Sequence, residues 1–140
     1  MSLAETISAR GTCPRRAVGA IIVVNNNMVA FGYNGSPRKI AHCCDVGCTI
    51  EHGHCVSAVH AENNAIIKID TTRYWNDYST LYTTASPRRS CMNMIINANI
   101  NKIVYRDQYV SDTHQSNKAQ WSFDVAKQCN IEMVWIGDCK

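Results

Sequence analysis

The chain has 140 residues, 46% of them apolar and 18% charged, and a net charge of +3. That balance suits one domain over residues 1–140 with a hydrophobic core, and it excludes a solvating or disordered chain. The charge is too small to require nucleic acid as a partner; it suits small phosphorylated ligands, and ordinary surface charge is the simpler account.

No stretch approaches the ~20 apolar residues that cross a bilayer. Met1 to Arg10 carries an early Glu5 and no apolar run of the signal-peptide kind. It reads as a short amphipathic helix with Leu3, Ile7 and Ala4 turned inward. The expectation is a cytoplasmic protein in a reducing compartment.

Val18 to Val24 is a short β-branched run, read as a buried strand. Asn25 to Asn27 makes a turn, and Met28 to Tyr33 returns as the hairpin partner. Asn34 to Pro37 breaks the pattern and opens a long loop rich in cysteine and histidine. A loop of that length inside a domain is usually functional or stapled, here by metal. Ser57 to Ile69 reads as a helix with Val59, Ala65, Ile66 and Ile69 inward. Thr80 to Thr84 is a third strand and Arg89 to Ala98 a second long helix, with Met92, Ile95 and Ile96 on its apolar side. Lys102 to Tyr105 is a fourth strand. Ser116 to Gln128 is a helix anchored by Trp121, Phe123 and Val125, and Ile131 to Trp135 is a fifth strand. A helix, a hairpin and then alternating helices and strands predict a three-layer α/β/α sandwich around a mixed five-stranded sheet.

Five of the eight cysteines, Cys13, Cys43, Cys44, Cys48 and Cys55, lie in the first 55 residues, with His42, His52 and His54 among them. In a reducing compartment such clustering favours metal binding or catalysis over disulfides. A single cysteine is as well explained as a small buried hydrophobe.

Downstream stand His60-Ala61-Glu62 and then Ser86-Pro87-Arg88-Arg89-Ser90-Cys91. The pair is similar to the zinc-deaminase signature, H-x-E followed by P-C-x-x-C, with Arg88 in place of the first cysteine. A catalytic zinc takes three protein ligands and keeps one position for a water, whose pKa it lowers. A carboxylate beside it moves protons to the ring nitrogen and the leaving ammonia. His60 and Glu62 lie two residues apart, so they converge only if the metal lies over the helix N-terminus.

The resemblance runs from about Arg10 to Tyr109. Cys13 to Val23, the Phe31 to Pro37 loop with its Gly32-Tyr33-Asn34-Gly35, the cysteine segment from His42 to Cys55, Thr80 to Pro87, and Met94 to Ile96 resemble the deoxycytidylate (dCMP) deaminases of the cytidine deaminase superfamily. The resemblance implies hydrolytic deamination of dCMP, with dCTP as a second candidate substrate, to the deoxyuridine nucleotide and ammonia, in pyrimidine deoxynucleotide synthesis. It implies zinc at His60 and Cys91, Glu62 as the proton carrier, and Asn34 on the deoxyribose. Ala61 and Ser86 would face the base, and Tyr105 or Tyr109 would stack on it or close the pocket. A second, structural zinc would draw on Cys13, Cys43, Cys48, His54 and Cys55. Cys44 and His52 stay open as alternatives, and Cys43 and Cys44 do not suit one ion together. The family pattern also implies a homohexamer with dCTP or dTTP effectors, with or without Mg²⁺, near Tyr33, Gly35 and Arg38. Arg15, Arg16, Arg38, Lys39, Lys68 and Arg73 are the cations available to a phosphate.

Arg88 departs from the pattern. A guanidinium has no lone pair to offer a metal. The chain then reads as a deaminase with impaired turnover, as a silent member that binds deoxynucleotides as a regulatory or structural subunit, or as an enzyme whose third ligand comes from a loop cysteine. Arg88 and Arg89 at a helix N-terminus also suit a phosphate. A zinc loop that binds nucleic acid is the reading of another class. No basic stripe interleaved with aromatics supports it.

Overall fold

The computed structural model describes residues 1–108 and 116–137. Helix α1 (Ser2–Ser8) leads into a hairpin of β1 (Gly19–Val24) and β2 (Asn27–Tyr33). Asn25 and Asn26 close the hairpin at φ 49° and 63°. Asparagine tolerates that region better than most residues, and two successive positive φ values give the turn a twist that matches the strands.

The long segment that follows is not bare loop. It holds the single turn α2 (Cys43–Val46) and a two-residue hairpin of β3 (Ile50–Glu51) and β4 (His54–Cys55). Helix α3 (Ala61–Ile66) comes next, then β5 (Ser79–Ala85), α4 (Arg89–Asn97), β6 (Lys102–Asp107), α5 (Ser116–Gln128) and β7 (Glu132–Trp135). The main sheet runs β2-β1-β5-β6-β7. Strand β1 is antiparallel to both β2 and β5, whereas β5, β6 and β7 are parallel. The five-stranded mixed sheet expected from the pattern is therefore present.

Two glycines show how the layers are divided. Gly19 and Tyr33 are register partners, as are Ala20 and Gly32, so Gly19 and Gly32 present opposite faces. A Cβ on Gly19 would collide with the Ala4 backbone of α1, and one on Gly32 with the Ala61 and Ala65 backbone of α3. Helix α1 thus covers one face, and α3 the other. Helices α4 and α5 continue the second layer, α3 packing on α4 and α4 on α5. The core lies beneath them: Ile22, Leu81 and Ile103 in register across three strands meet Met92 and Ile95 of α4.

Three expectations are corrected. Leu3 is 56% exposed, because α1 lies so close on Gly19 that only Ala4 fits beneath it. In α5 the most buried positions are Ser122 and Ala126, while Trp121, Phe123 and Val125 are half-buried. The helix expected from Ser57 starts at Ala61, because Val59 is held extended. Its N–H and C=O pair with Gly35, at 2.8 and 3.0 Å.

Gly32→Ala is expected to destabilise the protein by about 1–3 kcal/mol, since α3 must lift off the sheet to admit the methyl group. Urea unfolding would read this as a lower midpoint at unchanged slope.

Candidate active site

The extended segment ends at His60, which caps α3 with φ −71° and ψ 154°. Glu62 sits in the first turn of the helix and is 4% exposed. Residue Arg88 caps α4 in the same manner, with φ −81° and ψ 169°. Cys91, fully buried, lies in the first turn of α4. The two helix starts meet beside the C-terminal end of β5, where a parallel sheet commonly places a ligand.

His60, Glu62 and Cys91 bring one ligating atom each within 4.8 Å of one another. His60 Nδ1 and Cys91 Sγ are 3.0 Å apart. Burial, joined by the nearby Arg88 charge, holds the imidazole below the usual histidine range. Burial and the Glu62 carboxylate push the Cys91 thiol well up. The contact is therefore that of a neutral thiol with a neutral imidazole. Burial also lifts the Glu62 carboxyl above its ordinary range, against a pull from its own backbone N–H, Cys91 and Arg88. A buried acid poised to hold a proton suits proton transfer.

His60, Glu62 and Arg88 border a cavity of about 260 Å³. Ala61, Ala85 and Ser86 supply backbone and small side chains to one wall, and Asn34 to another. Arg15 and Arg16 also line the cavity, and Arg38, Lys39, Lys68 and Arg73 do not. Arg16 pairs with Asp107 at 3.0 Å, and Arg106 bridges Asp107 to Glu5 of α1. Arg15 donates to the carbonyl of Gly53, tying itself to the turn between β3 and β4.

Asn34 holds the cavity wall in place. Its Oδ1 accepts from the Val18 N–H and its Nδ2 donates to the Arg16 carbonyl, both at 2.7 Å. An amide retains one further donor and one further acceptor site for a ligand. Tyr105 is placed elsewhere: it is 3% exposed, and its ring packs on Phe123 at 6.2 Å rather than lining the cavity. Tyr109 lies outside the described residues. Tyr33, Gly35 and Arg38 also stand off the cavity. The Tyr33 ring carries the Arg10 guanidinium at 5.9 Å, and Gly35 is engaged with Val59.

A second cluster adjoins the first. The thiols of Cys13, Cys43, Cys48 and Cys55 all lie within 4.8 Å of one another. Cys13 and Cys48 are 3.6 Å apart, and Cys43 and Cys55 are 3.8 Å apart. Tetrahedral zinc at ordinary bond lengths holds two sulfurs about 3.8 Å apart, so this cluster fits such an ion. Burial raises the Cys55 thiol, but hydrogen bonds from Cys48 and from the Ser57 and Ala58 backbone outweigh it and bring the thiol down to about 7. Burial and hydrogen bonds to Cys55, Cys13 and Cys43 push Cys48 up to about 12. Cys44 faces away and donates to the Thr12 carbonyl. His54 lines the cavity and does not join the four thiols. His52 occupies the exposed turn at φ 47°.

The first cluster fits zinc less well. The same geometry would place a ligating nitrogen and sulfur about 3.6 Å apart, wider than the 3.0 Å between His60 and Cys91. The third ligand position is held by a side chain that cannot ligate.

Residues 1–107 match the family described as the cytidine and deoxycytidylate deaminase zinc-binding region. An α/β/α fold with a histidine and a glutamate at one helix start and a cysteine at the next defines a deaminase-type domain. The chain belongs to that family. ComE operon protein 2 of Bacillus subtilis (strain 168) is 38% identical over 97% of this chain and 72% of its own length. The deoxycytidylate deaminase of Saccharomyces cerevisiae is 31% identical over 94% of this chain, which spans 41% of that relative's length. The crystal structure of dCMP deaminase from the cyanophage S-TIM5, in complex with dCMP and dUMP, superposes with a TM-score of 0.75. It is 32% identical, over 96% of this chain and 92% of that one.

No local pattern announces the Asp107 anchor of Arg16, because the two residues lie 91 positions apart. Its position at the end of β6, beside Ala85 in register, is the signal that a strand alignment offers.

Asn34→Ala is expected to cost about 1–3 kcal/mol of stability without any ligand, because two backbone groups lose their partner. A thermal melt unaltered by this substitution would remove Asn34 from the cavity wall's support.

Proposed function

We propose that the cavity takes a deoxycytidine nucleotide, dCMP in the first place and dCTP as a second substrate, and that the chain is a dCMP deaminase with turnover impaired by Arg88. The observation that carries the reading is the meeting of His60, Glu62 and Cys91 at two helix starts beside the cavity. The S-TIM5 relative, crystallised with dCMP and dUMP, supports the substrate class.

In this reading the pyrimidine lies against the Ala61 amide and the Ala85–Ser86 backbone, and Asn34 meets the sugar hydroxyl. The phosphate is directed to Arg15 and Arg16, which alone among the six cations considered line the cavity. Glu62 carries the proton. Zinc in such a site makes hydroxide available near neutral pH. With Arg88 in the third ligand position that supply fails, and the chain is left with binding. This is also the observation that favours the second reading, a silent member that binds deoxynucleotides without converting them.

The four-thiol cluster is assigned a structural zinc at Cys13, Cys43, Cys48 and Cys55, with His54 left to the cavity. Two of its members, Cys13 and Cys55, line the cavity, so the ion would brace the wall that meets the ligand. An oligomer with a dCTP or dTTP effector near Tyr33, Gly35 and Arg38 belongs to the same proposal. Its support is the exposed apolar set Ile40, Val46, Ile50 and Val56 around the cysteine hairpin. Among the described residues no helix is long and apolar enough to cross a membrane.

Arg88→Cys is expected to raise dCMP deamination far above the level of the unaltered chain. Adding Glu62→Gln to it should then remove a factor of roughly 10²–10⁴. Deamination absent from both the unaltered chain and Arg88→Cys, with zinc supplied, would refute the dCMP reading. Separately, Cys48→Ser should cost the protein about one equivalent of bound zinc, as a tetrahedral site that loses a thiolate would. Zinc content indifferent to Cys48→Ser would remove the structural ion.

A further inference from the structure

We propose that the His60–Glu62–Cys91 centre of this chain does not take up zinc: Arg88 sets a permanent, non-ligating cation at the third ligand position. The inference rests on the chain's membership of the deaminase family and is independent of which nucleotide the cavity takes.

A catalytic zinc takes three protein ligands, and of the pattern's three only His60 and Cys91 are present. Arg88 lines the same cavity from the cap of α4 and has no lone pair to give a metal. A guanidinium keeps its proton under all ordinary conditions, so the charge is permanent. It also repels an incoming dication at the place where a thiolate would have attracted one. His60 and Cys91 touch at 3.0 Å, where an ion would hold them about 3.6 Å apart.

The neighbouring cluster provides the contrast. Its four thiols keep zinc spacing, with pairs at 3.6 and 3.8 Å, and no Arg or Lys replaces any of them. One chain thus carries two clusters of metal-ligating residues, one at zinc spacing and one with a side-chain cation at a ligand position.

The test counts zinc per chain in the unaltered protein and in Arg88→Cys, purified side by side with zinc supplied. The difference between them reports the active centre alone, whatever the four thiols hold. Arg88→Cys should carry one zinc more than the unaltered chain. Equal content in the two would overturn the proposal. A second measurement stands if Arg88→Cys does not fold: a chain carrying Cys48→Ser, whose four-thiol site is broken, should hold no zinc. About one equivalent retained by Cys48→Ser would overturn the proposal, because the His60–Cys91 centre would then hold it. Neither readout involves a nucleotide. Failure of Arg88→Cys to deaminate dCMP would therefore bear on the function proposed above and leave this inference standing.

Discussion

The backbone pairing of Gly35 with Val59 fixes where everything else at the site can be. It draws the end of β2 against the segment before α3 and keeps that segment extended up to His60. Were the helix to begin earlier, His60 and Glu62 would point to different sides of a continuous cylinder, about 200° apart. Starting the helix at Ala61 puts His60 on the cap and Glu62 in the first turn, so both reach the same point. Gly32 completes the constraint, since α3 rests on the sheet where a side chain would otherwise stand. The cysteine segment is the chain that this pairing closes off. Its ends are held together, and Cys13 from before β1 enters the same cluster.

Two adjoining clusters of metal-ligating residues then differ in how charge is handled. In the four-thiol cluster Cys55 is brought down to about 7 and Cys48 is pushed up to about 12. A metal ion resolves that arrangement by displacing the protons. In the other cluster the positive charge is covalently part of the chain. The cavity is thus bordered by the buried Glu62 and by Arg88, a fixed cation at the position where the zinc-deaminase signature has a cysteine. Binding and turnover become separable properties of this fold, as they are in principle wherever the reactive group is supplied by a metal.

Much of this was legible in the residues. The β-branched run before three asparagines identified the hairpin, and the alternation of strands with helices identified the mixed sheet. The order of His60, Glu62 and Cys91 on successive elements pointed to the cluster these three form. What escaped was contact between distant segments. Val59 looked helical because its apolar neighbours fit a helix period, and only its pairing with Gly35, 24 residues earlier, made it extended. Cys43 and Cys44 were indistinguishable as letters. On the short α2 turn they point about 100° apart, so one is buried against Cys55 and the other donates to Thr12. Tyr105 illustrates a signal that was present. It lies two residues from the buried Ile103 on the same strand, and so shares its core-facing side. The Arg106 bridge from Asp107 to Glu5 joins residues a hundred positions apart, and no local pattern announces it.

The most direct measurement is anomalous X-ray scattering at the zinc edge from crystals of the unaltered protein grown with zinc. The account predicts a peak among Cys13, Cys43, Cys48 and Cys55, and none between His60 and Cys91. A peak between His60 and Cys91 would contradict it, because the active centre would then hold its metal in spite of Arg88.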